Sequence, residues 1–322
     1  MSLRTKDKVL LWVLLAALLL RVGFALMCEH ALYPDEHSWN ALSQALLAGK
    51  GFINHLRPPG YISFLAAVYK VFGAGNMTAV RLTQALLGTA QAAFIYFLTL
   101  KIFRKRLTAC IAAAAVAFYP YLIFYSAHIL SETLYSFLLV SSVFYIYSMG
   151  DDDESPVSSI AAGVLASLAV LTKATVLAVF PVLIVWFALN KIDIRKIVFF
   201  FAAAAIIITP WSMKNYLKYG AVVPVTPSGS YFFQAYNKET MRLEEETRRL
   251  KDVEWYTDEY NEIAEQPVIE ADREYRRRAV VFMKQNPLVV LRLMLLRFVH
   301  FWRPAPITKN KMYILSAFIS SA

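Results

Sequence analysis

The stretch from Tyr33 to Tyr61, YPDEHSWNALSQALLAGKGFINHLRPPGY, gathers the side chains best suited to chemistry. It holds the adjacent carboxylates Asp35 and Glu36, the imidazoles of His37 and His55, the guanidinium of Arg57 and a Pro58-Pro59-Gly60 turn. A carboxylate can take the proton of an attacking hydroxyl, help typically worth ~10²–10⁴ in rate. An arginine presents a fork of donors that suits a phosphate, and the turn stiffens the loop directly after Arg57. Plainer uses compete with these. Pro34-Asp35-Glu36 precedes a helical pattern, Ser38 to Ala48, closed by Gly49, so Asp35 can equally serve as an N-cap.

The elements that must position these groups are apolar. The chain of 322 residues is 58% hydrophobic and 17% charged, with mean hydropathy +0.47. A soluble domain is about 45–50% apolar and about 25% charged, so an all-α polytopic membrane protein is expected. Net charge is +10, but the cations sit in short clusters between apolar runs, which signals membrane topology rather than nucleic-acid binding. Expected membrane segments are Val9–Met27, Ala79–Leu100, Leu107–Phe124, Leu134–Met149, a hairpin of Val157–Leu171 and Val176–Leu189 around Thr172–Thr175, and Ile197–Trp211. Each full span approaches the ~20 residues a crossing needs. A cleaved signal peptide is the alternative for the first, although Arg21 interrupts it and no small-residue cleavage site follows. Ile62–Phe72 is short and reads as interfacial or as a lead into the next span.

Sidedness follows from the cations. With the N-terminus inside, Arg4–Lys8, Lys101–Arg106 and Lys191–Lys196 all face the cytoplasm, as the positive-inside rule requires. The Tyr33–Tyr61 loop, the Tyr119–Glu132 corner, Lys173 and everything beyond Lys214 then lie outside. Cys28 and Cys110 fall at opposite faces, too far apart for a disulfide. The expected organisation is a transmembrane core over 1–212 with a first outer loop at 28–61, an outer polar helical loop at 213–286, and a further membrane helix with the start of another at 287–322. The last apolar run, Met312–Ala322, stops inside a helical pattern, as in a fragment or a shortened protein.

Ionisable groups at membrane depth are costly and mark function by default. Here Arg21, Arg81, His128, Glu132, Lys173 and Lys214 cluster at the outer ends of spans, beside Asp35, Glu36, His55 and Arg57. One polar cavity at the outer leaflet would explain them. The alternative is that each snorkels to its own interface, with Glu132 paired to Arg21 or His128.

Several blocks resemble a known family. They are "YPDEHSWNALSQALLAGKGF", "RPPGYISFLAAVYKVFG", "AVRLTQALLGTA", "FYPYLIFYSAHILSETLYSFLL", "LAVLTKATVLAVFP", "TPWSMKNYLKYGAVVPVTPSG" and "REYRRRAVVFMKQNPLVVLRLMLLRFVHFWRP". Together they are similar to the polyprenyl-phosphate-sugar-dependent membrane glycosyltransferases, the dolichyl-phosphate-mannose–protein mannosyltransferase and aminoarabinose transferase-like group of glycosyltransferase family 39. The resemblance implies a GT-C-type helical bundle whose outer first loop carries interfacial helices. It implies an inverting transfer at the outer face of the inner membrane, with a polyprenyl-phosphate sugar as donor and a hydroxyl as acceptor. Asp35 matches the catalytic carboxylate and base, and Glu36 would orient the acceptor or the loop. Arg57 would stabilise phosphate charge, with His55, Lys173 and Arg292 as further candidates for that task and Glu132 as part of the same substrate cavity. Typical members continue through further spans and often a soluble C-terminal domain.

A divalent cation on the loop carboxylates is conceivable, but no ligand spacing requires one. Membrane lipids are expected partners and nucleic acid is not; the sugar and the acceptor are not encoded legibly. A transporter or flippase is the runner-up, and would place charges and broken helices near the midplane. A non-catalytic scaffold subunit is the third reading. A soluble nucleotide-sugar transferase is disfavoured, because no Rossmann glycine fingerprint is present.

Overall fold

The computed structural model describes residues 7–27, 32–54, 56–151, 155–241 and 257–301, with side chains from 8 to 299. Cys28, His55, the acidic residues 152–154, most of the polar segment that starts at Met241 and the run Met312–Ala322 lie outside the described residues. The described residues are helical and contain no strand. They form two units, Met1–Met213 and Lys214–Ala322.

The first unit is a bundle of membrane helices. Helix α1 (Asp7–Met27), α4 (Met77–Phe103) and α10 (Ile194–Tyr219) are each long and apolar enough to cross a membrane. At ~1.5 Å per residue they run roughly 30 to 40 Å, against a hydrocarbon core of ~30 Å. Between them lie α2 (Pro34–Leu47), α3 (Pro59–Phe72), α5 (Arg106–Phe118), α6 (Pro120–Ser126), α7 (Glu132–Ser148), α8 (Val157–Thr172) and α9 (Val179–Leu189).

Small residues let these helices approach closely, the usual device where lipid offers no hydrophobic drive. Ala17 of α1, Ala92 of α4 and Ala117 of α5 form one buried seam, and Tyr96, Ala109 and Ala113 continue it. At Gly163 of α8 an added Cβ would stand 2.3 Å from the Phe200 carbonyl of α10, so only glycine fits there. Ala162 and Ala166 of α8 share a cluster with Phe187 of α9 and Ile146 and Met149 of the α7 end. Helices α8 and α9 thus share one buried cluster and are joined through the short turn Ala174–Ala178.

One expected span is not continuous. The apolar run Leu107–Phe124 breaks at Tyr119, and α5 and α6 meet at a 52° bend. Pro120 opens α6 and has no N–H to continue the ladder. The carbonyls left over are taken by Arg21, which is fully buried in α1. Its Nη1 donates to Ala117 O at 2.8 Å and Ala17 O at 3.2 Å, and its Nη2 donates to Val116 O at 3.1 Å. Gly88 of α4 clears the space, since a Cβ there would lie 2.8 Å from Arg21 Nε. Arg21 therefore caps a broken helix.

The second unit contains α11 (Gly229–Ala235), α12 (Asp258–Ala264), α13 (Val268–Gln285) and α14 (Pro287–Phe301). Its core is Phe233, Tyr260, Ile263, Ala271 and Tyr275. The Tyr275 hydroxyl donates to Tyr260 O at 2.8 Å. Helix α14, with its exposed Leu288, Leu295 and Phe298, has 15 residues and turns 104° from α13. Alone it is ~22 Å long, short of a straight crossing.

Candidate active site

The start of α2, the turn into α3 and the corner between α6 and α7 meet at one end of the first unit. Tyr33 is the N-cap of α2 in an extended conformation, and Pro34 takes the first helical position, where its fixed φ suits the helix. Asp35 is therefore inside the first turn and is not the N-cap. Glu36 performs that service instead: its Oε2 accepts from the Tyr33 N–H at 3.0 Å.

Neighbours on a helix point ~100° apart, and here that angle separates two fates. Glu36 is fully buried. Its Oε1 accepts from the Ile129 N–H at 2.8 Å and lies 3.6 Å from His128 Nδ1. Burying a carboxylate is costly unless it is hydrogen-bonded, and these contacts supply the bonds. Glu36 thus ties α2 to the α6–α7 corner. Asp35 points the other way, with its side chain 61% exposed, and its Oδ1 lies 2.5 Å from Arg57 Nη2. The guanidinium of Arg57 sits 4.6 Å above the Trp39 ring, a cation–π contact that fixes its approach. Trp39 is buried and meets Tyr61 edge-on at 5.2 Å.

The Pro-Pro-Gly turn is seated on the end of α8. A Cβ at Gly60 would stand 2.7 Å from Thr172 Oγ1 and 2.8 Å from the Leu171 carbonyl. Lys173 follows directly in an extended conformation. Its Nζ lies 2.9 Å from Glu132 Oε1 and 5.1 Å from the Tyr135 ring centroid. Glu132 therefore pairs with Lys173 rather than with Arg21, which bonds main-chain carbonyls, or with His128, which lies beside Glu36. Beneath the turn, the Tyr61 hydroxyl donates to Gln84 Oε1 at 2.8 Å. The Gln84 amide donates to the carbonyls of Ser126 and His128 at 3.2 and 2.6 Å.

The structure thus brings Asp35, Glu36 and Arg57 together, and the seated turn links them to Lys173 and Glu132. His55 is outside the described residues. Arg292 is an exposed residue of α14 in the second unit. Sequence reasoning passed over Trp39 and Gln84. Trp39 stands four residues after Asp35 and so shares its helix face; Gln84 is a lone amide in an apolar run, the kind of residue that buried networks need. Among the described residues no three His, Cys, Asp or Glu side chains converge. Asp35 and Glu36 diverge, so the pair does not chelate one ion. What the arrangement can do is hold an open carboxylate, Asp35, against a cation that Trp39 stacks in place.

Residues 56–213, just under half the chain, match the sequence model of a family described as dolichyl-phosphate-mannose-protein mannosyltransferase. The likeness read from the sequence blocks is thus found independently over this segment. The fold is similar to that in a crystal structure of ArnT from Cupriavidus metallidurans bound to undecaprenyl phosphate, with TM-score 0.52 and 17% identity. The match covers 66% of this chain and 42% of that one, so the chain spans less than half the length of that protein. The expected GT-C-type helical membrane fold is the fold observed. No curated relative matches the chain in sequence.

Proposed function

We propose that the chain takes part in an inverting transfer of a sugar from a polyprenyl phosphate to an acceptor hydroxyl at the outer membrane face. The acceptor oxygen bonds to the anomeric carbon, the bond from that carbon to the phosphate oxygen breaks, and the acceptor proton passes to Asp35. The lipid phosphate leaves with its negative charge on Arg57, with Lys173 as a second cation. Preorganised charge of this kind is usually a large share of catalysis. The donor phosphate competes with Asp35 for Arg57, so donor binding is what frees the base. Glu36 acts through the loop it anchors.

The observation that carries this reading is the Asp35–Arg57 pair: an exposed carboxylate held by a cation that Trp39 has already aimed. The sidedness rests on the basic clusters and the positive-inside rule. The test uses membranes containing the full chain and a panel of undecaprenyl-phosphate-linked sugars, read by mass spectrometry of surface glycans with and without the gene. Loss of one glycan modification in the Asp35→Asn chain, at normal expression and insertion, is the expected result. Wild-type turnover by that variant, or no glycan difference on deleting the gene, overturns the reading.

A further inference from the structure

The opposite end of the first unit holds a cavity of about 580 Å³. It lies where the ends of α4, α7 and α9 come together, and its lining includes Lys101, Arg104, Tyr147, Asp151, Trp186 and Asn190. The cations there have different occupations. Lys101 is paired with Asp151, and its Nζ donates to Ser148 Oγ at 2.9 Å. Lys196 Nζ donates to the carbonyls of Met149 and Asp151 at 2.9 and 2.7 Å. These two close the end of α7. Arg104 is different: it is exposed at the cavity and has no carboxylate partner among the described residues. Its backbone is left-handed, φ 53°, and its N–H closes α4 by donating to Leu100 O. The Arg104 guanidinium thus lines a pocket with Asn190 and Trp186, where the Asn190 amide donates to Trp186 O at 2.9 Å.

The rim is apolar. Phe103, Leu107, Leu189 and Ile194 are all exposed beside the cavity-lining segments. Side chains of that kind face acyl chains, and aromatic and basic residues at span ends sit at headgroup level. We propose that this cavity binds a phosphate-bearing headgroup of an anionic membrane lipid, with Arg104 as the phosphate ligand and the exposed apolar side chains of the adjoining helix ends against the acyl chains. An arginine presents five donors in a planar fork that matches phosphate. The proposal is independent of the transferase reading, since it uses neither Asp35 nor Arg57.

The test is native mass spectrometry of the full purified chain titrated with phosphatidylglycerol, with phosphatidylcholine as the zwitterionic control. Arg104→Asn removes the guanidinium and keeps a residue that accepts a left-handed backbone; Arg104→Lys keeps the charge. One phosphatidylglycerol is expected to be retained by the wild type and to bind about tenfold more weakly in Arg104→Asn, with partial recovery in Arg104→Lys. An Arg57→Gln chain should retain that lipid, which separates the cavity from the other end of the bundle. Competition by glycerol phosphate would assign the phosphate alone as sufficient, and its failure would assign the intact lipid. Equal retention of phosphatidylcholine, or undiminished phosphatidylglycerol binding in a folded Arg104→Asn chain alongside unchanged binding in Arg104→Lys, overturns the proposal.

Discussion

Both ends of the first unit are built from carboxylate–cation pairs, yet they use them differently. At the basic end, Lys101 and Lys196 bond to the final turn of α7 and to Asp151. Those cations neutralise a helix C-terminus, where carbonyls carry partial negative charge. At the other end the carboxylates open helices, Asp35 and Glu36 in α2 and Glu132 in α7, and their cations come from loops. Arg57 and Lys173 both follow or precede a turn and rest on aromatic rings. A cation that caps a helix is committed to the fold. A cation borrowed from a loop can exchange its carboxylate for a ligand.

That contrast can be broken by substitution. The largest effect belongs to Asp35→Asn, which should lower transfer by at least ~10²-fold with no loss of thermal stability; retained transfer would place Asp35 with the structural pairs. Next is Glu36→Ala. It removes the acceptor for two main-chain N–H groups, one of them buried, and should cost about 3 kcal/mol. Its signature is a fall in melting temperature together with activity, and a variant as stable as wild type would mean that the loop needs no such anchor.

A sharper comparison sets Lys173→Gln against Lys101→Gln. Each breaks one partly exposed pair, so each should cost under about 1 kcal/mol in stability. Only Lys173→Gln should raise the KM for the lipid donor, by roughly threefold to tenfold. Equal kinetic effects would erase the distinction between the two ends. The smallest effect concerns a pair with neither role, Glu274 with Arg277 and Arg278 on α13. Hydrogen bonds from Arg277 and then Arg278 hold the Glu274 carboxyl down at about 2, from an ordinary 4.5. A depressed carboxyl stabilises the fold above its unfolded value and loses that contribution as pH falls through its folded one. Exposure screens these arginines. Glu274→Gln should therefore shift the melting temperature by no more than about 1 °C at pH 7, with the difference vanishing on acidification toward pH 2.

Much of the bundle was legible in the residues. Helices α1, α4 and α10 follow from long apolar runs, and the basic clusters mark the ends that Lys101 and Lys196 occupy. The α5–α6 break was hidden because hydropathy sums composition and is blind to the missing N–H of Pro120. Asp35 and Glu36 have the same chemistry, and only the tertiary neighbours Ile129 and His128 decide which of them is buried. The Glu132–Lys173 pair spans 41 residues; each member was visible as a polar helix end, but their meeting depends on how α7 packs on α8.

The bond set of Arg21 also bears on how the bundle is assembled. In hydrocarbon, an unanswered carbonyl is expensive, so the end of α5, where Val116 and Ala117 lie, is not at home in lipid by itself. The earliest span thus supplies the donors that a later one lacks, and the two are bound to each other by main-chain need as well as by packing.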